Sequence, residues 1–194
     1  MKTKYFLLVL ITFNNANPII TNIYTQGNLQ SITAHEYMEG KVFTNEYKSA
    51  SIRKSANRIY IPKCKSYYDN SSNDNFTVYS YLKNLDKNNL IHVIKKQSYN
   101  GNNYIIIDKR NSCKEYLVYG EPFTINNEFI TFNESESTDL KNFLKIYKIN
   151  TNSIRLIKTI NLPQGFYQVQ VKHSLDFKKI LVKDSKSKYW SLPL

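Results

Sequence analysis

Glycine and histidine are scarce in this sequence, cysteine is scarcer still, and each shortage closes off some chemistry. Five glycines in 194 residues supply neither a Gly-rich phosphate-cradling loop nor a Gly-x-Ser-x-Gly nucleophile elbow. The three histidines, His35, His92 and His173, have no His-x-x-x-His or Glu-x-x-His spacing. No metal and no cofactor is therefore expected, and Ile91-His92-Val93 reads as an ordinary stretch of strand. The two cysteines, Cys64 and Cys113, stand outside any Cys-x-x-Cys pair, which argues against a redox enzyme. Acidic residues are outnumbered 15 to 27 by Lys and Arg, leaving a formal charge of +12. The apolar N-terminal run Tyr5–Phe13 is about half the ~20 residues that a membrane-spanning helix needs, so no membrane span is expected.

That run has another reading. Lys2 and Lys4 precede it, and Asn14-Asn15-Ala16 follows as a polar exit ending on a small residue. This is the layout of a secretory signal peptide over residues 1–16, although a buried N-terminal strand has a similar composition. No cysteine follows the run, which disfavours a lipid-anchored form. The expected location is the periplasm or the extracellular space. An even pair of cysteines in an oxidising compartment implies a Cys64–Cys113 disulfide. Such a bond closes a loop of about 50 residues and stabilises the fold by roughly 3–4 kcal/mol; two separate buried thiols are the alternative. Without the two signal lysines the charge is 12 − 2 = +10. That surplus favours an acidic partner, unless the lysines serve only solubility or reflect a biased genome.

Past the signal, residues 17–57 read as a helix-and-loop segment and residues 58–194 as a β-rich region packed with it in one domain. Thr33-Ala34-His35-Glu36 has capping-box spacing, and Gly40 marks the end of a short helix. Asn45 to Arg58 fits either a surface helix or a loop. From Arg58 onward the expected strands are Arg58–Ile61, Phe76–Leu82, Leu90–Lys95, Tyr104–Asp108, Glu115–Tyr119, Glu128–Phe132, Phe143–Ile149, Arg155–Ile160, Tyr167–Val171, Lys179–Val182 and Lys188–Leu192. Tyr167, Val169 and Val171 alternate with glutamines, the pattern of a half-buried strand. Ile105-Ile106-Ile107 is unbroken, so both of its faces should be covered. Asn-rich turns separate the runs. The expected class is all-β, a mainly antiparallel meander with one short N-terminal helix. Two stretches look like repeats: Asn75-Phe76 through Asp108, and Asn142-Phe143 through Val169.

Tyr104 to Arg110 followed by Glu115-Tyr116-Leu117-Val118 resembles two consecutive blade strands of secreted bacterial proteins with β-propeller-type repeats. His173-Ser174-Leu175-Asp176-Phe177-Lys178-Lys179-Ile180-Leu181-Val182 is similar to the Ser-Pro-Asp-Gly-Lys turn and strand of such blades, with Leu175 in place of proline and Phe177 in place of glycine. The resemblance covers roughly the last 120 residues, and the chain is too short for a closed ring. It implies open or half-propeller-like sheets, completed by a partner, and binding more often than catalysis.

Few residues here suggest catalysis. Ser51-x-x-Lys54 and Ser185-x-x-Lys188 match a lysine-activated serine, but the partner motifs of that chemistry are missing. Glu134, Glu136 and Asp139 share one polar loop and read as a solvated tip or a contact for a basic partner. The C-terminal stretch gathers Lys172, Lys178, Lys179, Lys183, Lys186 and Lys188 around Phe177, Tyr189 and Trp190, a mixture that can track a polyanion. The same pattern arises in a hairpin with charged residues outside and aromatics inside, where Trp190 would be a core plug. The leading expectation is an exported, non-catalytic binding protein, most concretely an inhibitor or immunity-type protein for an envelope-acting enzyme. The alternatives are a basic surface factor for an acidic glycan, lipid headgroup or DNA, and a hydrolase with a dispersed active site.

Overall fold

The computed structural model of the protein describes residues 24–26, 29–43, 52–125, 128–133, 142–163, 166 and 168–194. The signal segment 1–16, Ser51, the acidic trio Glu134, Glu136 and Asp139, and Tyr167 lie outside the described residues.

Among the described residues the strands fall into four sheets, each built largely from consecutive antiparallel strands. The first holds β4 (Lys54–Ser55), β5 (Arg58–Tyr60) and β6 (Ser66–Tyr68). In the second, β7 (Thr77–Asn84), β8 (Ile91–Ser98), β9 (Gly101–Asp108) and β10 (Lys114–Val118) run as a meander. The third repeats that layout with β11 (Phe123–Ile125), β12 (Glu128–Asn133), β13 (Phe143–Ile149) and β14 (Ile154–Asn161). The fourth starts from β15 (Gln168–His173), β16 (Lys179–Asp184) and β17 (Tyr189–Pro193).

The N-terminal segment completes the last two sheets. β1 (Tyr24–Gln26) pairs with β14 in parallel. β2 (Gln30–Ile32) and β3 (Lys41–Val42) flank the fourth sheet by pairing with β17 and β15. Between them stands α1 (Ala34–Glu39), the only α-helix of the described residues. The expected capping box is present: Thr33 Oγ1 accepts from the Glu36 N–H at 3.2 Å, while Glu36 Oε2 accepts from the Thr33 N–H at 2.8 Å. Gly40 is the C-cap. The described residues are thus mostly β with a single short α-helix, and none of their sheets closes on itself.

Three apolar layers glue the four sheets into a stack. Ile59, Ile61 and Tyr67 of the first sheet and its turn meet Ile94, Ile105 and Ile107 of the second. Ile91, Val93, Tyr104 and Ile106 on the opposite face meet Phe129, Tyr147 and Ile154 of the third. Ile130, Phe132, Leu144 and Ile146 then meet Val171, Ile180, Val182 and Leu192 of the fourth. The run Ile105-Ile106-Ile107 is buried on both faces because alternate residues feed two layers. Gly120 carries the chain from β10 to β11: a Cβ there would overlap the Phe132 backbone.

The two apparent repeats are not equivalent units. The first, β7–β8–β9, lies within one sheet, whereas the second begins with β13–β14 and crosses into the fourth sheet at β15. The matching meanders are β7–β10 and β11–β14, a register that Asn-rich turns alone do not reveal. The stretch from Asn45 to Arg58 ends in a tight hairpin, with Ala56 and Asn57 at φ 48° and 59°, the signature of a type I′ turn. Its residues 45–51 lie outside the described residues.

Cys64 and Cys113 form a disulfide with Cα atoms 5.6 Å apart, both half-buried against the layer between the first two sheets. No helix among the described residues is long and apolar enough to cross a membrane.

Candidate functional site

The lysines singled out in the sequence fall on the last sheet. Strand alternation sends Ile180, Val182 and Leu192 into the third apolar layer and leaves Lys179, Leu181, Lys183, Tyr189 and Ser191 on the opposite face. That opposite face is the one α1 covers. Tyr37 of α1 packs its ring 4.8 Å from Tyr189 and donates from its hydroxyl to Gln170 Oε1 at 3.0 Å. Burial, helped by Tyr189, pushes its phenol up to about 12. Lys172 is itself buried beneath the helix. Its ammonium sits 4.5 Å from the centroid of the Tyr37 ring and 3.4 Å from the Tyr37 carbonyl oxygen, to which it donates. Lys172 and Tyr189 therefore hold α1 onto its sheet.

The other lysines are spread out. Lys178 lies in the β15–β16 turn, while Lys186 and Lys188 lie in the β16–β17 turn. These turns close opposite ends of a six-residue strand, about 20 Å apart at 3.3 Å per residue. The Ser185-x-x-Lys188 match is the second of these turns. Asp184 Oδ1 accepts the N–H groups of Lys186 and Lys188, both at 2.8 Å, and its other oxygen accepts the Trp190 indole N–H at 2.9 Å. Trp190 packs against the third layer, edge-on to Phe166. Lys54 of the other Ser-x-x-Lys match is bound to the Asp69 carboxylate and donates to the Tyr79 carbonyl oxygen at 2.9 Å. In the β15–β16 turn Phe177 takes φ 57°, the left-handed region in which glycine is favoured. Its ring stacks on His173 at 4.4 Å.

The first sheet, at the other end of the stack, presents a different surface. Arg58 and Tyr60 flank inward-facing Ile59 on β5. The register Arg58↔Tyr68, Ile59↔Tyr67 and Tyr60↔Ser66 places Tyr68 and Ser66 on their side. The Arg58 guanidinium sits 5.3 Å from the Tyr60 ring centroid and 5.7 Å from that of Tyr68, and its Nε donates to Ser66 Oγ at 2.8 Å. Tyr60 and Tyr68 are 50% and 61% exposed, so a cation fixed between two aromatic rings faces solvent. Sequence reasoning missed this group. Arg58-Ile59-Tyr60 already carried the alternation that places its two ends on one face, but Ser66-Tyr67-Tyr68 is too short to announce a strand.

Lys65 and Glu115 pair at 2.6 Å beside this sheet, and the Tyr67 hydroxyl donates to the same Glu115 carboxylate. The histidines stand apart: His35 on α1, His92 in β8 facing the Tyr81 hydroxyl at 3.2 Å, and His173 at the end of β15 against the Ser174 carbonyl oxygen at 2.9 Å. The Tyr81 hydroxyl and the Ser174 carbonyl oxygen each fix one ring nitrogen of the His92 and His173 imidazoles. No protein family, curated protein or solved structure matches the chain.

Proposed function

We propose that the chain is an exported binding protein without catalytic activity, and that it grips an acidic protein surface with the outer face of its first sheet. The observation that carries this reading is the difference between the two ends of the stack. The fourth sheet has part of its outer face covered by α1, whose Tyr37 packs on Tyr189, whereas the first sheet shows Arg58, Tyr60 and Tyr68 to solvent. Tyrosine and arginine dominate interface energetics because each buries a large area while keeping a polar end for hydrogen bonding. The cation–aromatic contacts hold these three side chains in place before binding, which lowers the entropy lost on association. The charge left after removal of the two signal lysines, 12 − 2 = +10, selects for an acidic partner. The disulfide and the basic-then-apolar N-terminus support export. An inhibitor or immunity-type protein acting on an envelope enzyme needs only such a rigid face.

The test is affinity capture from an envelope extract with the disulfide-intact chain, at moderate and high salt, beside the Tyr60→Ala/Tyr68→Ala variant. A protein retained at high salt by the parent and lost by the variant supports the reading; equal retention by both refutes it. The second reading, binding to an acidic polymer, is favoured by the exposure of Lys178, Lys186 and Lys188 and predicts capture that collapses with salt.

A further inference from the structure

The helix α1 does not fill the space above its sheet. Beside it lies an open hollow of about 290 Å3, bordered by Glu36 and Glu39 of α1, Leu175 and Asp176 of the β15–β16 turn, and Leu181 and Ser191 of the sheet. Its charge runs against that of the chain. Acids are outnumbered 15 to 27 overall, yet three carboxylates border this hollow against one ammonium, that of Lys179. Two of the carboxylates are held ionised by local hydrogen bonds. The Thr33 N–H and hydroxyl keep Glu36 below the usual carboxylate range, and the Ser174 hydroxyl and Lys178 N–H do the same for Asp176. Lys178 and His35 stand 3.9 Å from Asp176 and Glu39, in exposed pairs that neutralise little.

A separate observation points into the same hollow. Ser191 is 1% exposed, and its Oγ has no hydrogen-bond partner. It pairs across the sheet with Leu181, so both side chains lie on the helix side, opposite Ile180, Val182 and Leu192. A buried hydroxyl without a partner is destabilising unless something supplies the missing bond. The carboxylates do not converge as a chelating group, since no set of three or more ligating side chains among the described residues is placed to hold a metal ion. The hollow thus offers spread negative charge around an apolar wall, with a hydrogen-bond acceptor at its floor.

We infer that this hollow binds an organic cation, an ammonium or guanidinium on a short aliphatic stem, with Ser191 Oγ accepting a hydrogen bond from its N–H group, Glu36, Glu39 and Asp176 balancing its charge, and Leu175 and Leu181 packing the stem. Lys179 competes for the same carboxylates. The inference is independent of the face used by the first sheet.

Agmatine is the probe, titrated into the disulfide-intact chain up to about 10 mM, where weak single-site binding still registers, with amide shifts as the readout. The neutral N-butylurea serves as control. Saturable shifts confined to Leu175, Leu181, Ser191 and their neighbours are expected with agmatine alone. Glu39→Gln and Ser191→Ala should each weaken binding about fivefold or more, the loss of one charge-assisted contact, and Lys179→Ala should strengthen it. Ser191→Ala removes an unpaired hydroxyl, so its thermal midpoint should hold or rise, separating lost binding from lost folding. A tripeptide with a central arginine, acetylated and amidated, forms the second arm. Tighter binding than agmatine assigns the cation to a side chain of a partner, weaker binding to a free amine. No saturable shift at these residues with either probe, an equal response to the neutral control, or full affinity in Ser191→Ala overturns the proposal.

Discussion

Cys64 and Cys113 join the turn after β5 to the start of β10, with Cα atoms 5.6 Å apart, and so tie the smallest sheet to the outer hairpin of its neighbour. The strands of the first sheet are only two or three residues long, too short to stand as an independent sheet. One apolar face, with Ile59 and Tyr67, leans on Ile94, Ile105 and Ile107. The disulfide, the Lys65–Glu115–Tyr67 cluster and the Lys54 bond to the Tyr79 carbonyl oxygen add to that anchorage, and together they steady the Arg58–Tyr60–Tyr68 face.

Reducing this bond, or replacing both cysteines by serine, is expected to remove roughly 3–4 kcal/mol of stability through the freed loop. Urea unfolding with and without reductant measures the loss. Hydrogen exchange should show the amides of Arg58 to Tyr68 losing protection before those of β8 and β9. A change below about 1 kcal/mol, well under the loop estimate, or a uniform loss of protection, would contradict the anchoring role.

His92 makes stability fall on mild acidification. It is 2% exposed; burial, with Lys109 adding to it and Asp86 opposing, holds its pKa at about 4 against the usual 6.5. Between these two values the unfolded chain binds a proton that the folded one refuses. The stability carried by neutral His92 is therefore complete above pH 6.5 and is lost as pH falls toward 4, on the order of 3 kcal/mol in all. His92→Phe should flatten the slope across that window. Asp184 acts lower down. Burial works against its charge, but the Lys188 N–H, the Trp190 indole and the Lys186 N–H hold its pKa below 3.8, so its contribution is present above 3.8 and lost in stronger acid. Chemical denaturation of the parent and of His92→Phe from pH 7 to 4.5 separates the two groups.

Lys83 and Glu121 should respond asymmetrically to substitution. Lys83 is 3% exposed, its ammonium lies 2.8 Å from Glu121 Oε1 and 5.7 Å from the Phe123 ring centroid, and burial lowers its pKa while Glu121 opposes that shift. Glu121→Leu removes the carboxylate paired with the buried cation and is expected to destabilise by about 3 kcal/mol. Lys83→Met removes the charge along with its desolvation penalty and should stay within about 1 kcal/mol of the parent. Equal losses in the two variants, read by urea unfolding, would show that the ion pair itself stabilises the junction of the second and third sheets.

The strands expected from Arg58 onward all form, with ends shifted by a few residues, because each carries enough apolar or alternating positions to show a period. The capping box was equally legible, since Thr33 and Glu36 need only each other. What the sequence concealed depends on distant partners. β2 and β3 are three and two residues long and exist because β17 and β15, more than a hundred residues away, offer them an edge. Closeness along the chain also misled. Lys172 to Lys188 read as one basic patch, but pleating and turns bury Lys172 under α1 and place Lys178 at the opposite end of β16 from Lys186 and Lys188. The Arg58, Tyr60 and Tyr68 face needs the pairing of β5 with β6, which a turn containing Pro62 and Cys64 does not announce.

The two binding readings separate through one pair of variants. Tyr60→Ser/Tyr68→Ser removes two exposed rings whose neighbours on that face, Arg58 and Ser66, hydrogen-bond each other without them. Its stability should therefore match the parent within about 0.5 kcal/mol per site. Lys178→Ala/Lys186→Ala/Lys188→Ala takes three charges from turns shaped by Asp176 and Asp184 accepting backbone N–H groups, and it should fold as well as the parent. If an acidic protein docks on the first sheet, capture at high salt is lost in the tyrosine variant and kept in the lysine variant, because aromatic burial is insensitive to screening. If an acidic polymer is the ligand, the lysine variant binds more weakly with a shallower dependence on salt, since fewer counterions are released, and the tyrosine variant still binds. Heparin-column elution and envelope capture, run on both variants, assign the activity to one end of the stack or the other.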